Sequence, residues 1–286
     1  MEIRIDDNAG YCFGVVKAIG TAEEELHRDG SLYCLGDIVH NSAEVERLRQ
    51  EGLKVIEHDT LPQLGGKKVL IRAHGEPPST YRTAERLSIH LVDATCPIVL
   101  ALQGRIRLGY DEMRLCGGQV VIFGRPGHAE VIGLNGQTDG TAIIISDPDD
   151  IDAIDFSRPI RLYSQTTKSR EDYQQLTANI RKRLPEGADF VAYDTICNSV
   201  AGRTKALEAF AKGVDVLLFV AGANSSNGHY LYEYCRSVQP RTYLISSAAD
   251  VCREWLKGAE RVGISGATST PRWLMEEVAE QLRVMS

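Results

Sequence analysis

The chain has 286 residues, 43% hydrophobic and 25% charged, the composition of a folded globular protein with room for two or three α/β units. A net charge of −7 excludes a general nucleic-acid binder, which needs a basic face, but leaves room for a local anion site. Seven cysteines without close pairs, no apolar run near the roughly 20 residues of a membrane span and no signal-peptide pattern after Met1 together predict a cytoplasmic protein.

In chain order, a short strand at 3–5 opens the first unit and leads through Gly10-Tyr11-Cys12-Phe13-Gly14 into an amphipathic helix. Val16, Ile19, Ala22 and Leu26 share its inner face, and Gly30 marks its end. Residues 32–35 read as a strand closed by Asp37-Ile38-Val39-His40-Asn41, with Ser42 placed to cap the next helix. Strands at 54–56 and 68–72 follow, the second ending in Ala73-His74-Gly75. A helix over 78–88 precedes the strand 90–92 and the run Asp93-Ala94-Thr95-Cys96-Pro97. Proline suits the first helical turn because its missing N–H has no partner to lose there. Cys96 therefore sits at a strand-to-helix junction, where unpaired N–H groups and the helix dipole favour a thiolate. Taken alone, it reads equally well as a small buried apolar residue.

The plan then repeats. A helix after Cys96 precedes a strand at 119–123 that runs into Gly127-His128-Ala129-Glu130. Strands at 142–145 and 160–163 follow, the latter ending in Ser164-Gln165-Thr166-Thr167. A helix over 169–184 and a strand at 190–193 lead to Asp194-Thr195-Ile196-Cys197. The third unit has a helix, an apolar strand at 214–220 ending in Asn224-Ser225-Ser226-Asn227, and strands at 242–245 and 261–264. Gly266-Ala267-Thr268-Ser269 and a helix over 271–284 complete it.

Each unit thus reads as strand, cysteine and helix, followed by two polar strand tips, with boundaries at 1–95, 96–193 and 194–286. The first tips carry His40, His128 with Glu130, and Ser225 with Asn227; the second carry His74, Thr167 and Ser269. Cysteine and first tip are 28, 32 and 28 residues apart, and the two tips 34, 39 and 44. Alternating strands and helices imply mostly parallel sheets, which bind ligands at the carboxyl ends of their strands. Three cysteines and a ring of polar tips are therefore expected to converge on one centre.

Three isolated cysteines from three units suit an iron–sulfur cluster better than zinc, whose structural sites draw on close cysteine pairs. Cuboidal clusters normally take four thiolates, so a three-cysteine cage leaves one iron open as a Lewis acid and a point of electron delivery. Cys34, Cys116, Cys235 and Cys252 lie inside strand or helix patterns and are expected to be packing residues. His40, His74 and His128, with Ser225, Asn227 and Ser269, form a candidate anion pocket of neutral and titratable donors. The 224–227 run reads alternatively as a cap and turn. Glu130, two residues from His128, is a candidate proton donor; its plain alternative is a solvated loop carboxylate.

The motifs Gly-Tyr-Cys-Phe-Gly-Val at Cys12, Val-His-Asn at His40, Ala-His-Gly at His74 and Asp-Ala-Thr-Cys-Pro at Cys96 resemble the LytB/IspH family. So do Gly-His-Ala-Glu-Val-Ile-Gly at His128, Ser-Gln-Thr-Thr at Thr167, Asn-Ser-Ser-Asn at Asn227 and Ser-Thr-Pro at Ser269, in order along nearly the whole chain. The resemblance implies three similar α/β domains in a pseudo-threefold cloverleaf around an oxygen-sensitive 4Fe–4S cluster. Cys12, Cys96 and Cys197 would hold the cluster, with the fourth iron open to substrate. The implied reaction is a two-electron, two-proton reductive dehydroxylation of 4-hydroxy-3-methylbut-2-enyl diphosphate to isopentenyl and dimethylallyl diphosphate. His40, His74, His128, Ser225, Ser226, Asn227 and Ser269 would bind the diphosphate. Glu130 would relay protons, Thr167 would orient the hydroxyl, and a ferredoxin or flavodoxin would deliver electrons.

The chain departs from the family pattern of a threonine and then Arg-Gln after Cys197, where it has Val200, Arg203 and Thr204, and also at Ala223, at the run Gly228-His229-Tyr230-Leu231, and at Ala129. A paralogue with the same cluster and a different substrate is therefore one alternative, and a phosphate-ligand binder without redox chemistry is another. A zinc hydrolase is weaker, because no histidine pair has helix-spaced ligand geometry.

Overall fold

The computed structural model describes residues 1–223 and 225–285, with the side chains of Ala201 and Ser226 outside that description. The elements run β1 (Glu2–Ile5), α1 (Phe13–Asp29), β2 (Leu32–Leu35), α2 (Ser42–Gln50), β3 (Leu53–Ile56), β4 (Lys68–Ile71), α3 (Pro78–Arg86) and β5 (His90–Asp93). Next come α4 (Pro97–Cys116), β6 (Gln119–Phe123), α5 (Ala129–Gly136), β7 (Ile143–Ile145), β8 (Ile160–Ser164), α6 (Arg170–Arg183) and β9 (Phe190–Ala192). The last set is α7 (Asn198–Lys212), β10 (Val216–Val220), α8 (Ser226–Val238), β11 (Thr242–Ile245), β12 (Arg261–Gly266) and α9 (Arg272–Met285).

The strands form three four-stranded sheets, ordered β3-β2-β4-β5, β7-β6-β8-β9 and β11-β10-β12-β1. Their pairings are parallel, as the strand–helix alternation requires. All three follow one plan: a first strand, a second on one side of it, a third on the other, and a fourth outside the third. The third sheet takes its fourth strand from the other end of the chain, with Ile3 opposite Val262 and Ile5 opposite Ile264. The sequence pattern places residues 3–5 at the head of the first unit; the structure pairs them with the C-terminal sheet. A strand of four residues carries no mark of its partner, so periodicity is silent on this point.

Every residue of β6, β8 and β10 is buried, as expected of parallel strands covered on both faces. Full burial of each apolar side chain in β10 contributes about 1.5–3 kcal/mol. The chain packs as two compact units, one of Met1–Leu32, Asp37–Val55 and Asn198–Ser286, the other of Tyr33–Gly36 and Ile56–Cys197. In the first, Leu218, Val220 and Ile264 pack with Val278 and Leu282, while Leu217 and Phe219 pack with Leu207 and Leu231. In the second, Leu35, Val69 and Ile71 share a core with Ala84, and Ile122 and Tyr163 share one with Ile106 and Leu134.

Local chemistry sets the helix ends. Gly30 stops α1 in the left-handed conformation at φ 68°, and its amide donates to the Leu26 carbonyl at 2.8 Å. Asn41, not Ser42, caps α2, its side chain accepting from the Glu44 amide at 3.1 Å. Asn41 precedes the first helical residue in extended backbone, the geometry a cap needs, whereas Ser42 is already helical. Among the four remaining cysteines, Cys34 and Cys235 are buried, but Cys116 is exposed at the end of α4 and Cys252 is partly exposed. The packing expectation fails for Cys116 because the amphipathic period of α4 turns its last residue outward.

Candidate active site

The three cysteines occupy equivalent places. Each follows the fourth strand of its sheet, and each backbone amide donates to a carbonyl just beyond the third strand. Cys12 N–H reaches Thr268 O at 3.2 Å, Cys96 reaches Ala73 O at 3.0 Å and Cys197 reaches Thr166 O at 2.9 Å. Cys12 and Cys96 are the N-caps of α1 and α4, and Cys197 directly precedes α7. Neither N-cap makes a side-chain capping bond. A serine or aspartate there would add about 0.5–2 kcal/mol of helix stability, so these thiols are held where local stability favours another residue. None of the three is in a disulfide, and all are partly exposed.

In the first compact unit the polar tips of β10 and β12 meet. Ser225 is the N-cap of α8; its Oγ accepts from the Gly228 amide at 3.0 Å and lies 3.3 Å from Ser269 Oγ. The cap-and-turn reading of this run is therefore met by the Ser225 hydroxyl. Asn227 is buried, and its Oδ1 accepts from the Thr268 amide at 3.0 Å and hydroxyl at 2.9 Å. Its Nδ2 is buried without an acceptor among the described residues. Such a donor costs about 1–3 kcal/mol unless a ligand or water accepts from it. Ser226, expected in the same set, has its side chain outside the described residues. His40 follows β2 and lines a cavity of about 180 Å³ with Asn41, Ser42, Arg49, Gly222 and Ala223. A Cβ at position 222 would collide with the His40 carbonyl, so this close approach requires glycine.

In the second unit, the tips of β6 and β8 enclose a carboxylate. His128 caps α5, its Nδ1 accepting from the Glu130 amide at 3.2 Å, which leaves the Nε2–H as the ring's donor. Glu130 is 2% exposed and accepts from the Thr166 amide at 2.7 Å and hydroxyl at 2.8 Å. Burial pushes its pKa up to about 6, against the lowering effect of the two Thr166 bonds. The His74 and His128 rings meet edge to face, with centroids 5.3 Å apart. Thr167 Oγ1 accepts from Gln165 Nε2 at 3.0 Å, which leaves its own proton available to donate.

Two contacts are missed by the sequence reading: Thr166 holds Glu130, and Thr268 holds Asn227. The signal was adjacent, since the second tips of the second and third units each carry two consecutive small hydroxyl residues, Thr166-Thr167 and Thr268-Ser269, in a turn.

Three parallel four-stranded sheets, with polar tips at the carboxyl ends of their strands and a cysteine at each of three strand-to-helix junctions, place the protein in the α/β class. The chain belongs to the LytB protein family, which it matches over residues 3–283. It is 52% identical over 286 residues to a 4-hydroxy-3-methylbut-2-enyl diphosphate reductase of Parabacteroides distasonis, covering 100% of this chain and 99% of the relative. It also resembles the solved structure of (E)-4-hydroxy-3-methyl-but-2-enyl diphosphate reductase, the terminal enzyme of the non-mevalonate pathway, at a TM-score of 0.73 and 32% identity over 99% of this chain and 100% of that one. The structure of the Plasmodium falciparum E-1-hydroxy-2-methyl-but-2-enyl-4-diphosphate reductase shares the fold, with a TM-score of 0.87 at 24% identity over 98% of this chain and 87% of that one. No helix among the described residues is long and apolar enough to cross a membrane.

Proposed function

We propose that the chain reduces 4-hydroxy-3-methylbut-2-enyl diphosphate, with two electrons and two protons, to isopentenyl and dimethylallyl diphosphate and water. The observation that carries this reading is the recurrence of one junction three times: a cysteine outside any disulfide after the fourth strand, its amide bonded past the third, at a helix start. The full-length likeness to reductases of that name supplies the substrate. The units 1–95, 96–193 and 194–286 would each contribute one ligand, Cys12, Cys96 and Cys197.

The donor set fits a 4Fe–4S cluster: three thiols outside disulfides, no close cysteine pair in the sequence for structural zinc, and helix starts that favour negative charge. When bound, the cluster supplies the electrons and an open iron that polarises the substrate hydroxyl. The protein's own residues do the rest. His40, His74, His128, Ser225, Ser226, Asn227 and Ser269 hold the diphosphate, with the Asn227 amide and the His128 Nε2–H as donors to its oxygens. Thr167 donates its hydroxyl proton to orient the substrate's hydroxyl. Glu130, lifted to about 6, holds a proton beside Thr166 and passes it to the departing oxygen. A ferredoxin or flavodoxin supplies the electrons, and the cytoplasm is the expected compartment.

The experiment is iron and sulfide analysis with visible and EPR spectra on protein purified without oxygen, followed by turnover of the diphosphate with a low-potential donor. A brown protein with a reducible cubane that releases both products is expected. A colourless protein that resists reconstitution, or a loaded one that binds the diphosphate without turnover, would overturn the reading.

A further inference from the structure

A permanent cation lies beside one of the cluster ligands without a full complement of partners. Arg203 lies on α7 and is half-buried. Its Nη1 donates to the Gly10 carbonyl at 2.8 Å, two residues before Cys12. Its Nη2 is buried and finds no acceptor among the described residues. The guanidinium is within electrostatic reach of Cys12 and of Asp6, and burial disfavours its charge. Asp6, 3% exposed, accepts from Ser265 Oγ at 2.8 Å and from the Asn8 amide at 2.9 Å, so neutral donors bond to it and, among the described residues, no bidentate ion pair quenches Arg203. A guanidinium cannot shed its proton in a protein, so the charge persists at every working pH. Neither of the other cysteine-led helices has a cation at this place, since six residues after Cys12 and Cys96 stand Ala18 and Leu102.

We propose that Arg203 sets the reduction potential of the iron–sulfur centre ligated by Cys12, with Asp6 as its counterweight. The inference rests on the cluster reading above. Adding one electron from a ferredoxin-class donor adds one negative charge to the centre. A fixed cation nearby stabilises that charge, and a fixed carboxylate opposes it, more strongly in a part-buried site than in water. Arg203 therefore raises the potential and Asp6 lowers it. The tie to Gly10 keeps the cation in register with the Cys12 loop.

The test is a spectroelectrochemical titration, followed by EPR, of the cluster-loaded wild type, R203Q, R203K and D6N. Glutamine retains a donor for the Gly10 carbonyl but loses the charge; lysine keeps the charge. R203Q is expected to reduce the equilibrium constant for one-electron reduction at least tenfold, about 59 mV downward. R203K is expected to stay within threefold of wild type, and D6N to move upward. Opposite signs for R203Q and D6N are the signature of charge; a merely structural loosening would move both the same way and would overturn the proposal, as would unchanged potentials. Should R203Q fail to hold a cluster, D6N decides alone, with an upward shift supporting the proposal and any other result sinking it. A wild type without a cluster defeats the reductase reading itself, whereas a loaded wild type with immovable potentials defeats only this inference.

Discussion

Two glutamates of this protein are equally buried and do opposite work. Glu44 is 1% exposed and Glu130 is 2% exposed. Around Glu44 the protein gathers compensation: Arg47 donates to it from Nε at 3.0 Å and Nη2 at 2.6 Å, and the Trp273 indole donates from α9 at 2.8 Å. Around Glu130 the described residues offer one amide and one hydroxyl, both from Thr166, and no cation. The first arrangement stabilises the charge and ties α2 to α9. The second leaves the charge under-compensated, so the proton is held to about pH 6. Burial alone therefore does not say whether a carboxylate is structural or chemical; the partners do.

That contrast breaks hardest at Glu130→Gln, which removes the proton store while keeping the shape. Turnover is expected to fall about 100- to 10,000-fold in a steady-state assay, with cluster content unchanged. Glu44→Ala should leave turnover chemistry intact but strand the Trp273 indole, while Glu23 and Glu51 still pair Arg47, lowering unfolding free energy by about 1–3 kcal/mol in a urea titration. Glu130 also carries a pH linkage. Because folding raises the Glu130 pKa from 4.5 to about 6, the protonated native form is favoured. Its stability contribution is present in full below about 4.5 and lost as pH rises through about 6. Wild type should therefore lose roughly 2 kcal/mol between those limits relative to Glu130→Gln, measured by denaturation at a series of pH values. The mildest change, Thr166→Val, removes one donor from the ionised form and leaves the amide. It should destabilise the protein by about 1 kcal/mol at neutral pH and move the Glu130 titration upward, as ¹³C NMR of the carboxyl would show.

Much of this was legible in the sequence, for physical reasons. Continuous apolar runs such as 216–220 mark doubly covered strands, and prolines 78 and 97 mark helix starts, so the elements and their order could be read directly. The carboxyl-end rule then placed His74, His128, Ser225 and Ser269 beyond strand ends, where the structure has them. Non-local choices were not legible. Nothing in Glu2–Ile5 specifies β12 as its partner, and nothing in Thr166 or Thr268 distinguishes the carboxylate- and amide-holding hydroxyl from its neighbour. Arg203 reads as one more helical cation until Gly10 is found against it, 193 residues away in the chain. The helices expected over 78–88, 169–184 and 271–284 have termini within two residues of those bounds.

The pairing of β1 with β12 also governs the order of events during synthesis. The Glu2 amide is satisfied by the Glu260 carbonyl, so β1 waits for a strand far along the chain. Closing so long a loop delays this sheet relative to the two sheets built from neighbouring segments. The Cys12 loop acquires its Thr268 anchor only at that stage. The cysteine cage proposed above would therefore be the last part of the site to assemble.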